Sequence, residues 1–512
     1  MKTSRRRLDV DVEELDRVID ASENGPLSKA DRQKLKTTLH ALVERLARKR
    51  NTEKTDSVLE PKASCAAATT VPSPPTPAGH GRNAASVFTG AEKVCIQHAQ
   101  LKPGDLCPEC REGRVYRQRE PKTLIRIVGQ APLKATVFEM ERLRCNACCQ
   151  MFTAEEPANV GAAKYDTTAV AMIALLKYGT GVPFHRMERL EGQMGLPLPA
   201  ATQWELMEPA AGSLERAWEE LIRQAAQGSL VHNDDTGMRI LKLVRNTDDG
   251  RTGTFTSGIV SLWREWRIAL YFTGWKHAGE NLADVLKRRA AELDAPIQMC
   301  DALSRNTPKL AGVEVLLANC LAHGRRQFVE VAANFPEECR YVLETLGAVY
   351  GFDAEAKRRG LTPEQRLLLH QTNSTPLMDG LREWMKAQFA EHRTEPNSGL
   401  GKAISYLERH WMELTLFLRQ QGAPLDNNIA ERALKKAILH RKNALFYKTM
   451  NGARVGDLFM SLIHTCELNK ANPFDYLTEL LRHPAELKAN PAEWMPWNYR
   501  ETLARLARPA AA

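Results

Sequence analysis

Five short apolar stretches between residues 229 and 320 constrain the fold more than any other feature of this sequence. The first three, LVHND, FTSGIVSL and RIALYFTG, are joined by turn-rich connections, as in an antiparallel meander. PIQMC and VEVLLANC (Val313–Cys320) follow a helical pattern over Glu280–Leu293. Strands that form a meander and then alternate with helices predict a mixed β-sheet covered by helices. We therefore expect a multidomain α/β fold.

Changes in composition divide the rest of the 512 residues. Residues 1–50 have apolar residues at helical spacing and predict a helical hairpin, whereas residues 51–90, rich in Ala, Thr, Ser and Pro, predict a flexible linker. The remaining predicted segments are a cysteine module at 91–157, a helical region at 160–227, the first part of the sheet domain at 228–334, a helical insertion at 335–421, a core helix carrying an acid at 422–456 and a helical tail at 457–512.

The helical region contains two amphipathic stretches separated by GLPLP, in FHRMERLEGQMGLPLPAATQWELM. This arrangement is typical of a helix-turn-helix, in which the helix of Thr202 and Trp204 would lie near DNA. An ordinary pair of packed helices has the same pattern, and the sequence leaves both interpretations open.

No stretch of the sequence predicts a membrane span or a signal peptide. The longest apolar run, Ala169 to Leu176, is less than half of the roughly 20 residues that cross a bilayer. The N-terminal MKTSRRRLDVDVEE lacks an apolar segment. We expect a soluble, cytoplasmic protein without a membrane partner.

Four of the eleven cysteines form two CxxC pairs, Cys107 with Cys110 and Cys145 with Cys148. Each pair can turn two thiolates to one side of a knuckle, and two knuckles complete the tetrahedral sulfur shell that zinc prefers. The module therefore predicts a structural zinc ribbon. The alternatives are incidental core cysteines, or a ligand set that includes Cys149, or Cys95 and His98.

Acidic residues stand at the ends of two predicted strands and at the start of a helix. Asp234 and Asp235 follow the first strand, Asp301 follows PIQMC, and Glu431 opens a basic helix. Carboxylates in these positions can converge and hold two Mg²⁺ or Mn²⁺ ions for phosphoryl transfer. Each acid taken singly could equally form a turn or cap a helix.

The residues after Glu431 carry most of the net charge. From Arg432 to Gly456 there is no acid, and the seven basic residues contribute +7 of the formal +9. A solvated helix face usually carries charges of both signs, so a run of only basic residues beside a carboxylate indicates a surface that binds phosphates. The predicted DNA contacts are Asn427, Asn428, Arg432, Lys435, Lys436, Arg441 and Lys442.

Several phrases resemble the TnpC-type transposases of the insertion sequence sixty-six family. They are HNDDT, DNNIAERALKKAILHRKNALF, GARVGDLFMSLIHTCELNKANPFDYL, CLAHGRRQF and the upstream CPEC and CNAC. The resemblance is strongest from Leu425 to Leu477. It implies a DDE transposase, whose RNase H-like catalytic core is interrupted by a helical insertion before the glutamate.

The resemblance also assigns catalytic residues. Asp234, Asp301 and Glu431 match the three metal-binding acids, while Asp235 stands where the family commonly has Glu. Neighbouring side chains of a strand point to opposite faces, so only one of the aspartates of that pair can serve. Cys320 and His323 match a Cys-x-x-His pair of related domains, and a metal role or a buried thiol and imidazole both remain open.

The expected function is a DNA transposase that cuts element ends and joins their 3′ hydroxyls to target DNA. The zinc ribbon, the candidate helix-turn-helix and the N-terminal helices would recognise the ends. The resemblance further implies a homo-oligomer on DNA, accessory proteins from the same element and a nucleoid-associated location. Two alternatives stay open: a metal-dependent nuclease without strand transfer, and a DNA-binding regulator with a dead site.

Overall fold

The computed structural model describes residues 95, 99–117, 132–144, 151–155, 157, 161, 163–243, 251, 253–309 and 314–507. The predicted helical hairpin at 1–50 and linker at 51–90 lie outside the described residues, as do His98, Cys145, Cys148 and Cys149. Within the described ranges, no helix is long and apolar enough to span a bilayer.

A five-stranded mixed sheet lies at the centre of the described chain. It follows a short antiparallel ribbon of β1 (Arg142–Arg144) and β2 (Met151–Thr153). The strands of the main sheet are β3 (Leu230–Gly237), β4 (Phe255–Trp263), β5 (Trp266–Gly274), β6 (Ile297–Cys300) and β7 (Leu316–Asn319). Their order is β5-β4-β3-β6-β7, with β3, β4 and β5 antiparallel and β3, β6 and β7 parallel. The predicted mixed sheet in an α/β fold is confirmed.

Helices surround this sheet. They are α1 (Thr167–Ala174, continued by a π-helical turn at Leu175–Gly179), α2 (Phe184–Gln193), α3 (Ala200–Ala225), α4 (Ala278–Leu286), α5 (Leu321–Val331), α6 (Pro336–Arg359), α7 (Pro363–Ala390), α8 (Gly399–Arg409), α9 (Trp411–Leu414), α10 (Asn428–Ala444), α11 (Met450–Leu468), α12 (Pro473–Arg482), α13 (Pro484–Ala489) and α14 (Tyr499–Leu506). Short 3₁₀ turns lie at Ser304–Asn306, Leu416–Leu418 and Pro491–Trp494.

Two apolar cores pack against the sheet. The larger joins β4 and β5 to α1, α3, α11 and α12, with Leu221, Leu270 and Phe459 fully buried. The second joins β6 and β7 to α5 through α9, with Met299, Phe328 and Leu381 at its centre. The helices of the predicted insertion therefore pack on the side of the sheet that carries β6 and β7.

The edge strand β5 is covered by polar side chains of α11. Backbone N–H groups of Ala269, Tyr271 and Thr273 donate to Thr465 Oγ1 (3.1 Å), Ser461 Oγ (3.0 Å) and Asp457 Oδ2 (2.6 Å), respectively. Four residues of a helix rise about 6 Å and two residues of a strand about 6.6 Å. Every fourth residue of α11 therefore lies opposite every second residue of β5. These bonds satisfy donors that an uncovered edge would present to other chains.

Two boundaries differ from the sequence prediction. Helix α4 ends at Leu286 instead of Leu293, where the Arg289 guanidinium donates to the carbonyls of Ala226 (2.8 Å), Gly228 (2.8 Å) and Asp294 (2.6 Å). A side chain held by three carbonyls fixes a turn that helical periodicity does not reveal. Strand β7 is also shorter than the predicted Val313–Cys320.

The candidate helix-turn-helix forms a packed pair, α2 and α3. Gln203 is buried and donates to the carbonyls of Phe184 (3.1 Å) and Leu198 (3.0 Å), which fixes the connection. Trp204 packs partly against the larger core. This packing favours the ordinary helix-pair interpretation for Trp204.

Candidate active site

Strand β3 carries the acidic pair at the middle of the sheet. Asp234 is paired with Gly258 of β4, and Asp235 is its neighbour on the opposite face. A Cβ atom at Gly258 would lie 3.0 Å from a methyl carbon of Leu434, so this glycine permits the close approach of α10. The approach brings the first turn of α10, which contains Glu431, to the face of Asp234.

Asp301 follows β6, the parallel neighbour of β3. The Asn306 side chain donates to Asp301 Oδ1. The Asn306 carbonyl in turn accepts from Asn233 Nδ2 (2.8 Å) and Gln298 Nε2 (2.7 Å). These bonds fasten the loop after β6 to both strands, so the position of Asp301 is fixed relative to Asp234.

Asn427 fixes the start of α10. Its Nδ2 donates to the carbonyl of Asn233 (3.0 Å), its Oδ1 lies 3.0 Å from His232 Nδ1, and its backbone N–H donates to Cys320 Sγ (3.2 Å). The residue is fully buried and its side-chain amide is bonded within the fold, an environment that favours a structural role over the predicted DNA contact. It joins β3 and the start of α5 to the helix of Glu431.

The charges of the three acids influence one another. Burial, and then the negative charge of Asp301, raise the pKa of Asp234 to about 7, with smaller contributions from Asp235 and Glu431. Burial also raises the pKa of Asp301, although His323, Asn306 and Arg305 counteract this effect. Partly buried carboxylates that repel one another form a site that a cation can stabilise.

Cys320 and His323 lie beside Glu431. The ligand atoms of the three residues are within 4.8 Å of one another, and His323 Nε2 is 3.8 Å from Glu431 Oε1. Burial raises the pKa of the Cys320 thiol to about 11, and its sulfur accepts the Asn427 bond. Among the described residues, His323 Nδ1 is buried without a hydrogen-bond partner. Cys320, His323 and Glu431 are thus close enough to hold a metal ion, and the Cys320 sulfur also fastens Asn427.

Asp235 makes contacts that the sequence did not reveal. Its carboxylate lies 2.8 Å from His277 Nδ1 and 3.5 Å from Arg305, and its side chain is only 1% exposed. His277 precedes α4 and Arg305 lies in the loop after Asp301, so the contacts depend on tertiary structure. The two neighbouring aspartates thus have different surroundings. Asp234 lies on the face of the other acids, whereas the carboxylate of Asp235 contacts His277 and Arg305.

A cavity of about 450 Å³ adjoins His277 and Arg305. Five basic side chains against two acidic ones give its lining a net charge of +3, with histidine neutral. The charged residues are Arg251, Lys276, Lys287, Arg305, Lys309, Glu280 and Asp284. Arg251, Lys276 and Lys287 pair with the two acids of the lining, so its excess positive charge lies at Arg305 and Lys309.

The basic residues of α10 and its continuation divide into two groups. Lys436 pairs with Glu467 (2.8 Å), Arg441 donates to Thr236 Oγ1 (2.9 Å), and Arg454 pairs with Glu215. These three side chains bind other parts of the fold. The exposed group comprises Arg432, Lys435, Lys442 and Lys448. Asn428, a neutral residue of the predicted DNA contacts, is exposed as well.

The described part of the cysteine module contains the first CxxC pair. The Cys107 N–H donates to the Gly113 carbonyl (2.7 Å), and the Gly113 N–H donates to Cys110 Sγ (3.5 Å). Hydrogen bonds from the backbone of Gly113 and Glu112, and one with Cys107, lower the pKa of Cys110. A turn whose N–H groups face sulfur suits a thiolate ligand.

Comparisons with known proteins identify the family of this chain. Residues 163–455 match the family model described as "Transposase IS66 family". The uncharacterized protein y4jD of Sinorhizobium fredii is 27% identical over 421 residues, which cover 78% of this chain and 79% of that protein. The uncharacterized protein y4hP of the same organism is 24% identical over 436 residues, covering 80% and 76%, respectively.

Proposed function

Because the chain belongs to the IS66 transposase family, we propose that it is a DDE-type DNA transposase with Asp234, Asp301 and Glu431 as its catalytic acids. It would cut element ends and join their 3′ hydroxyls to target DNA. The observation that carries the proposal is the position of these acids on β3, after β6 and in the first turn of α10, where burial and then the charges of Asp301 and Glu431 raise the pKa of Asp234. The sheet order supports our assignment of the core as RNase H-like.

The donor set fits hard divalent cations. Asp234, Asp301 and Glu431 offer carboxylate oxygens, the ligands that Mg²⁺ and Mn²⁺ prefer. When bound there, two such ions would supply charge neutralisation and Lewis acidity to the scissile phosphodiester. Burial and the mutual repulsion of the acids make their ionised forms unfavourable, and bound cations would offset this free energy.

The surrounding residues would hold the DNA. Arg432, Lys435 and Lys442 are exposed on the helix that begins beside Glu431, so they can bind backbone phosphates. The basic cavity beside Asp235 would hold a further phosphate. Arg305 links this cavity to the acids, because it lies in the loop after Asp301 and contacts Asp235.

The N-terminal part would recognise the element ends. We assign Cys107 and Cys110, together with Cys145 and Cys148, to one structural zinc ion, and the Cys107–Cys110 turn fits this role. The action of a homo-oligomer on paired ends, with accessory proteins, belongs to the same proposal.

The test uses labelled duplexes that carry the DNA ends of the encoding element, purified full-length protein and magnesium. Asp234→Ala, Asp301→Ala and Glu431→Ala should each lower cleavage roughly a thousandfold, because each removes a ligand from the proposed site. Binding of the duplex should persist. Asp379→Ala, which removes an exposed acid of α7, is the matched control and should cleave like the wild type.

The products separate the alternatives. If each of the three single variants still cleaves the duplex like the wild type, the assignment of the catalytic acids is wrong. Cleavage without joining to target DNA would favour the nuclease, and binding without any cleavage by the wild type would favour the regulator.

A further inference from the structure

Helix α10 ends in a strained turn that exposes two apolar side chains. The Phe446 N–H donates to the Ala444 carbonyl (2.9 Å), which closes a γ-turn around Leu445 at φ +68° and ψ −37°. Such a turn is costly for a residue with a Cβ. Leu445 is nevertheless 66% exposed and Phe446 37% exposed, so burial of Leu445 does not offset the strain.

Leu445 lies at the C-terminal end of the helix that carries Glu431 in its first turn. Lys435 and Lys442 follow the glutamate by 4 and 11 residues, which are close to one and three helical turns, so these two lysines share its face of the helix. The distance along the axis from Glu431 to Leu445 is roughly 20 Å. A strand of DNA that follows this face from the acids would pass two lysines and then reach the apolar pair.

Hydrogen bonds on both sides of the turn fix it to the rest of the fold. Tyr447 is buried, its N–H donates to the Arg239 carbonyl (2.8 Å), and its carbonyl accepts from the Leu241 N–H (2.9 Å). Asn443 Nδ2 donates to the Gly181 carbonyl (3.1 Å) on the other side. Contacts on both sides of the turn therefore hold Leu445 and Phe446 in position.

We propose that Leu445 and Phe446 form a binding site for an unpaired DNA base. The inference rests on the proposed function, since it requires DNA along α10. Charge favours this occupant, because Lys442 and Lys448 flank the pair and no acid occurs from Arg432 to Gly456. Apolar side chains inserted between bases, or stacked on one, are a common way to hold opened DNA.

The experiment compares a 40-base-pair duplex with the same duplex carrying three unpaired bases at its centre, both in EDTA so that no cleavage occurs. The wild type should bind the duplex with the unpaired bases about tenfold more tightly. Leu445→Ala/Phe446→Ala should reduce this preference to twofold or less and leave affinity for the intact duplex within about twofold. Leu445→Gly, which suits the positive φ, should lose part of the preference while keeping the fold.

Leu368→Ala is the matched control, because it removes a leucine of α7 that is 64% exposed. It should retain the tenfold preference. An equal preference in the wild type and the double variant would overturn the base site even if the protein cleaves DNA. A preference lost only in the double variant would support the site even if cleavage fails. A change in oligomeric state, seen by light scattering without loss of preference, would assign the pair to a second copy.

Discussion

At the residue scale, Asn427 is the junction on which the geometry of the acids depends. It is buried and joins β3, the start of α5 and the start of α10 through three polar contacts. Asn428, the next residue, is exposed. Two adjacent asparagines of one motif therefore have different roles, which sequence alone could not distinguish.

Asn427→Ala should lower the free energy of unfolding by about 3 kcal/mol, because it leaves the Asn233 carbonyl and His232 without their bonds in a buried place. DNA cleavage should fall as well, since Glu431 loses its anchor. Urea denaturation and the cleavage assay measure the two effects. Asn428→Ala should change stability by less than about 0.5 kcal/mol, and equal losses in both variants would contradict the distinction.

Their places at the ends of predicted strands or at the start of a helix indicated Asp234, Asp235, Asp301 and Glu431, and the family resemblance selected Asp234 over Asp235. The sequence could not indicate His277 or Arg305, which reach Asp235 only when the chain is folded. It also treated the basic run as one surface, although Lys436, Arg441 and Arg454 bind within the fold.

At the element scale, helix α11 covers the edge strand β5 because every fourth residue of the helix lies opposite every second residue of the strand. Most strands were predictable from apolar runs, but the pairing of a strand edge with polar residues of a helix was not, because the partners lie nearly 200 residues apart. Asp457 ends this series and also accepts from Thr273 Oγ1 (2.6 Å). Burial raises the pKa of Asp457 to about 7, despite the bonds from Thr273.

A raised pKa makes the contribution of Asp457 to stability depend on pH. The folded state keeps the proton up to about pH 7, whereas the unfolded chain releases it near pH 4, so folding is penalised progressively between these values. Asp457→Asn removes that ionisation; its Oδ1 can accept from the Thr273 N–H, and its Nδ2 can donate to Thr273 Oγ1 in place of the bond that the carboxylate accepts. Its stability relative to the wild type should increase from pH 4 to pH 8 by up to about 4 kcal/mol, as measured by urea denaturation.

Asp353→Asn is the control, because the stability of this variant relative to the wild type should change with pH in the opposite direction. Although Asp353 is buried, contacts with His370, Lys357 and Arg366 hold its pKa well below the usual range. The ionised carboxylate therefore stabilises the fold above about pH 4, and the asparagine variant should lose more stability at pH 7 than at pH 3. A relative stability of Asp457→Asn that does not change with pH would contradict the burial argument.

At the scale of the whole molecule, the mixed sheet followed from the order of the apolar runs, and the family followed from the motifs after Leu425. The positions of the acids across the sheet required the fold, because β3, β6 and α10 are far apart in sequence. The two cores lie against different strands, and the proposed site lies where β3 and β6 meet.

We propose that one site both cuts an element end and joins it to new DNA. The most direct measurement is the joining of a labelled duplex with a free terminal 3′ hydroxyl to a supercoiled plasmid in magnesium, with wild type and Glu431→Ala side by side. The wild type should yield plasmid covalently bound to label, and the variant none. Labelled plasmid formed equally by both proteins, or by neither under conditions in which the wild type cuts element ends, would contradict the account.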